Sequence, residues 1–199
     1  MNNTSQLNNS IVYKTEKSIN GFEALVQKAL GKIPFTGHSF RMRKVIPKDN
    51  EYVKELIHKI LLERGGIGIE SLYYDKELIN IADYYQLPMH RFNVLIHKKE
   101  IVGTVGIGPS THHSFDPKIT CEVKKLYLHK DNRNQGQGKS MFNSALKQAE
   151  EMGYEQCIVK IEKREEQFLY FLLKEGFEQV LEKDDDNFSY DLVLCKTFR

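Results

Sequence analysis

The stretch EVKKLYLHKDNRNQGQGKS, Glu122–Ser140, decides how the rest of the chain is read. Glu122 to Leu128 reads as a strand, and Gly136 and Gly138 then form a turn into a helix. The ending Gly138-Lys139-Ser140 matches the close of a Walker A loop. That loop also needs a glycine at position 133, where this chain has Arg133. The complete motif is absent, which argues against an ATPase or GTPase. The strand–turn–helix context still offers an anion site. Glycines let backbone N–H groups approach a ligand, and the first helical turn points unsatisfied donors and the positive dipole end at it. Arg133, Lys139 and the Ser140 hydroxyl add charge or hydrogen-bond capacity. The same glycines would also serve a plain tight turn.

The flanks supply the rest of an α/β pattern. Upstream, RFNVLIHKKEIVGTVGIG reads as a hairpin: Phe92, Val94 and Ile96 alternate, Lys98-Lys99-Glu100 turns the chain, and Ile101 to Ile107 returns it. Ser110 to Lys118, with His112, His113 and Pro117, reads as a surface loop. Earlier still, Phe40, Met42 and Val45 mark a strand ended by Pro47. Asp49 is placed to cap a helix whose buried side is Tyr52, Val53, Leu56, Ile57, Ile60 and Leu61, stopped by Gly65 and Gly66. A less regular helical stretch covers Lys76 to Tyr84, and Pro88 separates it from the hairpin. Downstream, Met141, Phe142, Ala145, Leu146, Ala149 and Met152 line a helix ending at Gly153. QCIVKI is a strand, Phe168 to Lys174 a compact helix stopped by Gly176. Phe177–Leu181 and Phe188–Cys195 form a last hairpin across Asp184 to Asn187.

The N-terminal residues differ. Met1 to Ser10 is polar and reads as mobile, and Ile19, Phe22, Leu25, Val26, Ala29 and Leu30 form an amphipathic stripe. Pro34 and Gly37 mark a connector. The division expected is an extension over 1–37 and a main domain over 38–199.

At 199 residues and 23.2 kDa the chain can bury a full core. A net charge of +2 without a Lys/Arg block argues against nucleic-acid binding. No apolar run reaches membrane-spanning length, and Met1 to Ser10 is not signal-like, so no membrane partner is expected. Cys121, Cys157 and Cys195 lie in or beside apolar runs and read as buried free thiols, which suits a reducing, cytoplasmic setting. His112-His113 with Asp116 falls short of a metal set, and Asp184 to Asp186 lacks the spaced ligands of a calcium loop.

Glu122-Val123-Lys124-Lys125-Leu126-Tyr127-Leu128, the connector His129–Asn132, and Arg133-Asn134-Gln135-Gly136-Gln137-Gly138 together resemble the central signature of the GNAT family of N-acetyltransferases. That signature is E-h-x-x-h-x-h, a short connector, and R/Q-x-x-G-x-G/A at a helix start. EIVGTVGIGP and LLKEGFE resemble flanking family segments, and the likeness runs from about Phe40 to the C terminus. It implies a mixed, mostly antiparallel sheet flanked by helices. It implies acetyl-CoA as acyl donor, with backbone N–H groups around Gln135, Gly136, Gln137, Gly138 and Lys139 on the pyrophosphate, and Arg133 and Ser140 assisting. Leu126 and Leu128 would align the pantetheine arm as an extra strand, and the Leu128 N–H would polarise the thioester carbonyl.

Glu122 shares alternation parity with Leu126 and Leu128 in a regular strand, and would take the amine proton directly or through water. Its plain alternative is a strand-end carboxylate satisfied by Lys124 or solvent. The pattern breaks at Leu172, where the family often has a tyrosine that protonates the departing sulfur. Tyr170, two residues away on a helix, faces elsewhere. The Ser110–Lys118 loop and Tyr84 to Arg91 are candidate acceptor regions, in which His90 and Arg91 could select an acidic substrate feature but read chiefly as solvent-facing charge. The acceptor would be an amine on a small molecule, peptide or protein, and a homodimer is allowed. The competing reading is a catalytically weak CoA-binding regulatory or structural protein.

Overall fold

Among the described residues, seven strands join into one sheet. The computed structural model describes residues 40–65, 75–182 and 192–198. The Ile19–Leu30 stripe, Gly66 and the Asp184–Asn187 tip lie outside them. In chain order the elements are β1 Arg41–Lys44, α1 Asn50–Glu63, α2 Lys76–Ile79, α3 Ile81–Tyr84, β2 Arg91–His97, β3 Glu100–Pro109, β4 Thr120–Leu128, α4 Gln137–Glu151, β5 Gln156–Ile161, α5 Glu166–Lys174, β6 Glu178–Glu182 and β7 Leu192–Thr197.

The sheet order is β1-β2-β3-β4-β5-β7-β6. Every neighbouring pair is antiparallel except β4 and β5, whose parallel pairing α4 makes reachable as the crossover helix. One face carries α4 and α5, where Phe142 packs against Phe171 at 5.3 Å and Phe177 at 5.6 Å. The other carries α1 to α3, with Val53, Ile57, Leu61, Ile81 and Tyr85 against Phe92 and Val94. Burying each large side chain contributes roughly 1.5–3 kcal/mol, so both helical layers are held chiefly by their apolar stripes.

Several local expectations change. Tyr52 is 63% exposed, because the packed stripe of α1 begins one residue later at Val53. Asp49 does not cap α1 with its side chain. Its carboxylate turns back to accept from the Arg43 guanidinium and, at 2.9 Å, from the Ile46 N–H. The Lys76–Tyr84 stretch is two helices broken at Asn80, whose side chain accepts from the Asp83 N–H. Lys98 and Lys99 alone make the β2–β3 turn, both at positive φ, while Glu100 already pairs with His97. The Ser110–Lys118 loop is not wholly superficial, since Ser110 and His112 are buried. Cys121 and Cys157 are buried free thiols paired across β4 and β5, whereas Cys195 is only partly buried.

One irregularity positions the site. Gly106 pairs with Lys124 and Thr104 with Tyr127, so Val105 faces both Lys125 and Leu126. Lys125 is a bulge residue at φ 52°, and the Thr104 hydroxyl donates to its carbonyl at 2.8 Å. The extra residue switches the alternation. Cys121 and Val123 before it, and Leu126 and Leu128 after it, all pack on the α4–α5 face. Glu122 therefore lies on the opposite face from Leu126 and Leu128, and the shared parity expected of a regular strand does not hold.

Candidate active site

β4 and β5 pair only at Thr120–Gln156, Cys121–Cys157 and Glu122–Ile158. Beyond Glu122 the two strands part, while β4 stays paired to β3 as far as Leu128. The His129 N–H donates to Val102 on the β3 side. Strand alternation then directs the N–H and C=O of Leu128, and of Leu126, to the opposite, open edge. There the Leu128 carbonyl accepts from Arg133 Nε at 2.8 Å. Arg133 thus shapes the turn, and its guanidinium also reaches Glu63 at 3.6 Å.

The open edge leads to the start of α4. Gly136 is its N-cap at φ 76°, and no side chain caps the helix. The Ser140 N–H closes the first turn onto the Gly136 carbonyl at 3.0 Å. This leaves the N–H groups of Gly136, Gln137, Gly138 and Lys139 as the orphan donors. A Cβ added at Gly136 or Gly138 would meet nothing within 4 Å, so open space lies in front of them. The neighbouring side chains are engaged: Gln135 donates to the Asp131 carbonyl at 3.1 Å, and Lys139 pairs with Glu175 at 2.6 Å. That hydrogen bond from Lys139 holds the Glu175 carboxyl below the usual range. A groove of about 890 Å³ follows this edge, lined by Leu126, Tyr127, Leu128, Gly136, Gly138, Phe168 and Phe171. Arg64, just past α1, and Glu165, just before α5, pair at 2.9 Å and join its lining. The free strand edge, the uncapped helix start and the groove lined by both fit a long ligand with a phosphate end. A second groove, about 1000 Å³ between α4 and β6–β7, shares no lining residue with the first, although Glu175, the partner of Lys139, lines it.

Glu122 is 6% exposed. The Thr111 N–H and hydroxyl donate to its Oε2 at 3.3 and 3.1 Å, and Lys160 Nζ lies 3.1 Å from the same oxygen. Lys124, the partner expected from sequence, instead meets Glu77 at 3.0 Å. Burial opposes ionisation of Glu77, but the ammonium groups of Lys125 and Lys124 and hydrogen bonds from Lys125 and Tyr85 outweigh it, leaving the carboxyl at about 2. Burial together with Glu77 pushes the Tyr85 phenol far up, so it stays a donor, 2.8 Å from Glu77.

Leu172 is fully buried and Tyr170 is 61% exposed, with Lys174 Nζ 4.4 Å from its ring centroid. Tyr170 faces solvent on α5, away from the reacting region. His90 is half-buried rather than solvent-facing, with its ring edge-on to Tyr84 at 5.3 Å and Tyr85 at 5.9 Å. His112 stacks on His113 at 4.7 Å and accepts from the Ser114 N–H at 3.2 Å. Burial, His113 and Lys160 lower its pKa against the pull of Glu122, which favours a neutral ring. Among the described residues no group of three or more His, Cys, Asp or Glu side chains could hold a metal, and no helix is long and apolar enough to cross a membrane.

Two residues with a place here were missed, Thr111 and Lys160. The available signal was a lone lysine in the apolar run QCIVKI. Leu128 also shifts in standing. It lies six residues beyond Glu122, about 20 Å along a strand at ~3.3 Å per residue. Leu126 shares the open edge and is nearer.

A domain model described as an acetyltransferase (GNAT) domain matches residues 88–179. Together with the sheet, its parted strands and the glycine turn, this match makes residues 88–179 similar to a GNAT acetyltransferase domain. It is 29% identical over 120 residues to YjgM, an uncharacterized N-acetyltransferase of Escherichia coli strain K12, covering 60% of this chain and 70% of that protein. The fold is similar to a GNAT-family acetyltransferase of Staphylococcus aureus Mu50, with TM-score 0.67 and 18% identity over 81% of this chain and all of that one. It is also similar to the PaiA N-acetyltransferase of Thermoplasma acidophilum, solved with coenzyme A, with TM-score 0.63 and 18% identity over 80% and 99% of the two chains.

Proposed function

We propose that this protein is an acetyl-CoA-dependent N-acetyltransferase acting on a primary amine, with residues 38–199 as the transferase unit. The observation that carries the reading is the parting of β4 from β5 after Glu122, whose free edge runs to an uncapped glycine helix start. Coenzyme A solved with a similar fold supports the choice of donor. The N–H groups of Gly136, Gln137, Gly138 and Lys139 take the pyrophosphate, Gln135 and Arg133 hold the turn in shape, and the Ser140 hydroxyl adds a donor. Leu126 and Leu128 present backbone to the pantetheine arm. The Leu126 N–H, nearer than that of Leu128, polarises the thioester carbonyl.

The amine nitrogen attacks that carbonyl carbon. A C–N bond forms, the C–S bond breaks, and the electron pair leaves on sulfur. The proton lost by nitrogen passes through water to Glu122. With leucine at 172 and Tyr170 outward, no acid stands at the helix position. A thiol pKa near 8.5 makes the thiolate a tolerable leaving group without one.

A panel of small amines, peptides and lysine-bearing proteins, scored for amine-dependent release of the CoA thiol, tests the reading. Turnover with at least one acceptor class is expected. CoA binding without turnover on any would favour the non-catalytic CoA-binding reading that the buried Leu172 motivates.

A further inference from the structure

We infer that Lys160 and Thr111 are positioning residues that lock one oxygen of Glu122 and reserve the other for the amine proton, an inference that rests on the acetyl-transfer reading above. Among the described residues, three polar contacts to the carboxylate fall on Oε2: the Thr111 N–H at 3.3 Å, the Thr111 hydroxyl at 3.1 Å and Lys160 Nζ at 3.1 Å. Lys160 also donates to the Thr111 hydroxyl oxygen at 3.0 Å. That hydroxyl can donate once and accept from Lys160 at the same time, so the triangle is chemically consistent. Among the described residues, none donates to Oε1.

The register explains why these residues meet. Glu122 is opposite Ile158 at the last paired position of β4 and β5, and Lys160 follows two residues on, the diagonal neighbour on the same face. Thr111 arrives from the loop after β3. The side chains of Glu122 and Lys160 are only 9% and 17% exposed, so the pair is weakly screened.

The clamp has a chemical consequence. The ammonium 3.1 Å from Oε2 holds the carboxylate in place, and Oε1 can take the proton that nitrogen sheds once bonded to the carbonyl carbon. Among the described residues, the charged or titratable groups facing Glu122 are Lys160 from β5 and His112 from the β3–β4 loop, while Lys124 on its own strand is held by Glu77.

The test uses the full chain labelled with ¹³C at glutamate Cδ, with the Glu122 resonance assigned by its loss in Glu122→Gln. Lys160→Met should raise the midpoint of that resonance's titration by about one pH unit or more over the parent. Lys160→Arg should restore it to within ~0.3 unit, because it keeps the cation. Thr111→Val should displace it in the same direction by less, and serves if Lys160→Met does not fold. In acetyl transfer to n-butylamine, the acid limb of the pH–rate profile should move with the midpoint, and Lys160→Arg should recover it. An unchanged midpoint in Lys160→Met or, should that variant not fold, in Thr111→Val overturns the clamp. Absence of transfer by the parent, despite CoA binding, would count against the acetyltransferase reading, and the resonance would still judge the clamp.

Discussion

Gly136 and Gly138 stand two residues apart and meet different demands. Gly136 is left-handed at φ 76°, so any side chain there adds backbone strain of about 1–2 kcal/mol. Gly138 carries no such constraint and faces open space. An aspartate at 138 sits in the first turn of α4, where negative charge stabilises a helix by ~0.3–1 kcal/mol. Gly138→Asp should therefore unfold at the same or a slightly higher temperature than the parent, yet bind CoA at least ~100-fold more weakly. Parental CoA affinity in a folded Gly138→Asp protein would move the phosphate site elsewhere. At this scale the sequence singled out the glycines and Glu122 as candidates, because chemistry is carried by residue type. It concealed Lys160 and Thr111, since their meeting depends on the register of β5 against β4 and on a loop returning from β3.

Helices and strands were legible wherever one local pattern ran uninterrupted. The stripe of α4 and the β2–β3 hairpin follow from apolar spacing alone. The bulge at Lys125 did not, because lysine carries no preference for positive φ, and one extra residue reversed which face Glu122 occupies. On α5 the two-residue offset was legible, and it yields a paired prediction. Leu172→Ala should cost about 2–5 kcal/mol through a cavity beside Phe142 and Phe177. Tyr170→Phe should leave stability and acetyl transfer near parental, measured on one preparation. A loss above ~100-fold in the chemical step of a stable Tyr170→Phe protein would restore Tyr170 as an acid. The charged cluster between α2 and β4 makes a further claim. Glu77 is lowered on folding from an ordinary 4.5 to about 2. Its stabilisation is complete above about pH 4.5 and is lost as pH falls toward 2, on the order of 3 kcal/mol. Urea unfolding from pH 6 to pH 2 should show Glu77→Gln less stable than the parent at pH 6, with the two curves converging near pH 2. Parallel curves would mean that Glu77 gains nothing from Lys124 and Lys125.

Across the whole molecule, the mixed sheet follows from a single parallel pair set among antiparallel hairpins. The crossover through α4 fixes that pair, and its early parting opens the groove at the sheet's centre. The glycine turn, the free edge of Leu126 and Leu128, and Glu122 acquire a shared meaning only through this long-range arrangement, which no local window displays. The most direct test of that meaning is calorimetric titration of the full chain with CoA and with ATP. Magnesium is omitted with CoA and supplied with ATP. Stoichiometric CoA binding without the metal, at least ~100-fold tighter than ATP, is the result predicted from an uncapped helix start joined to an open strand edge. Comparable or tighter binding of ATP, with none of CoA, would contradict it.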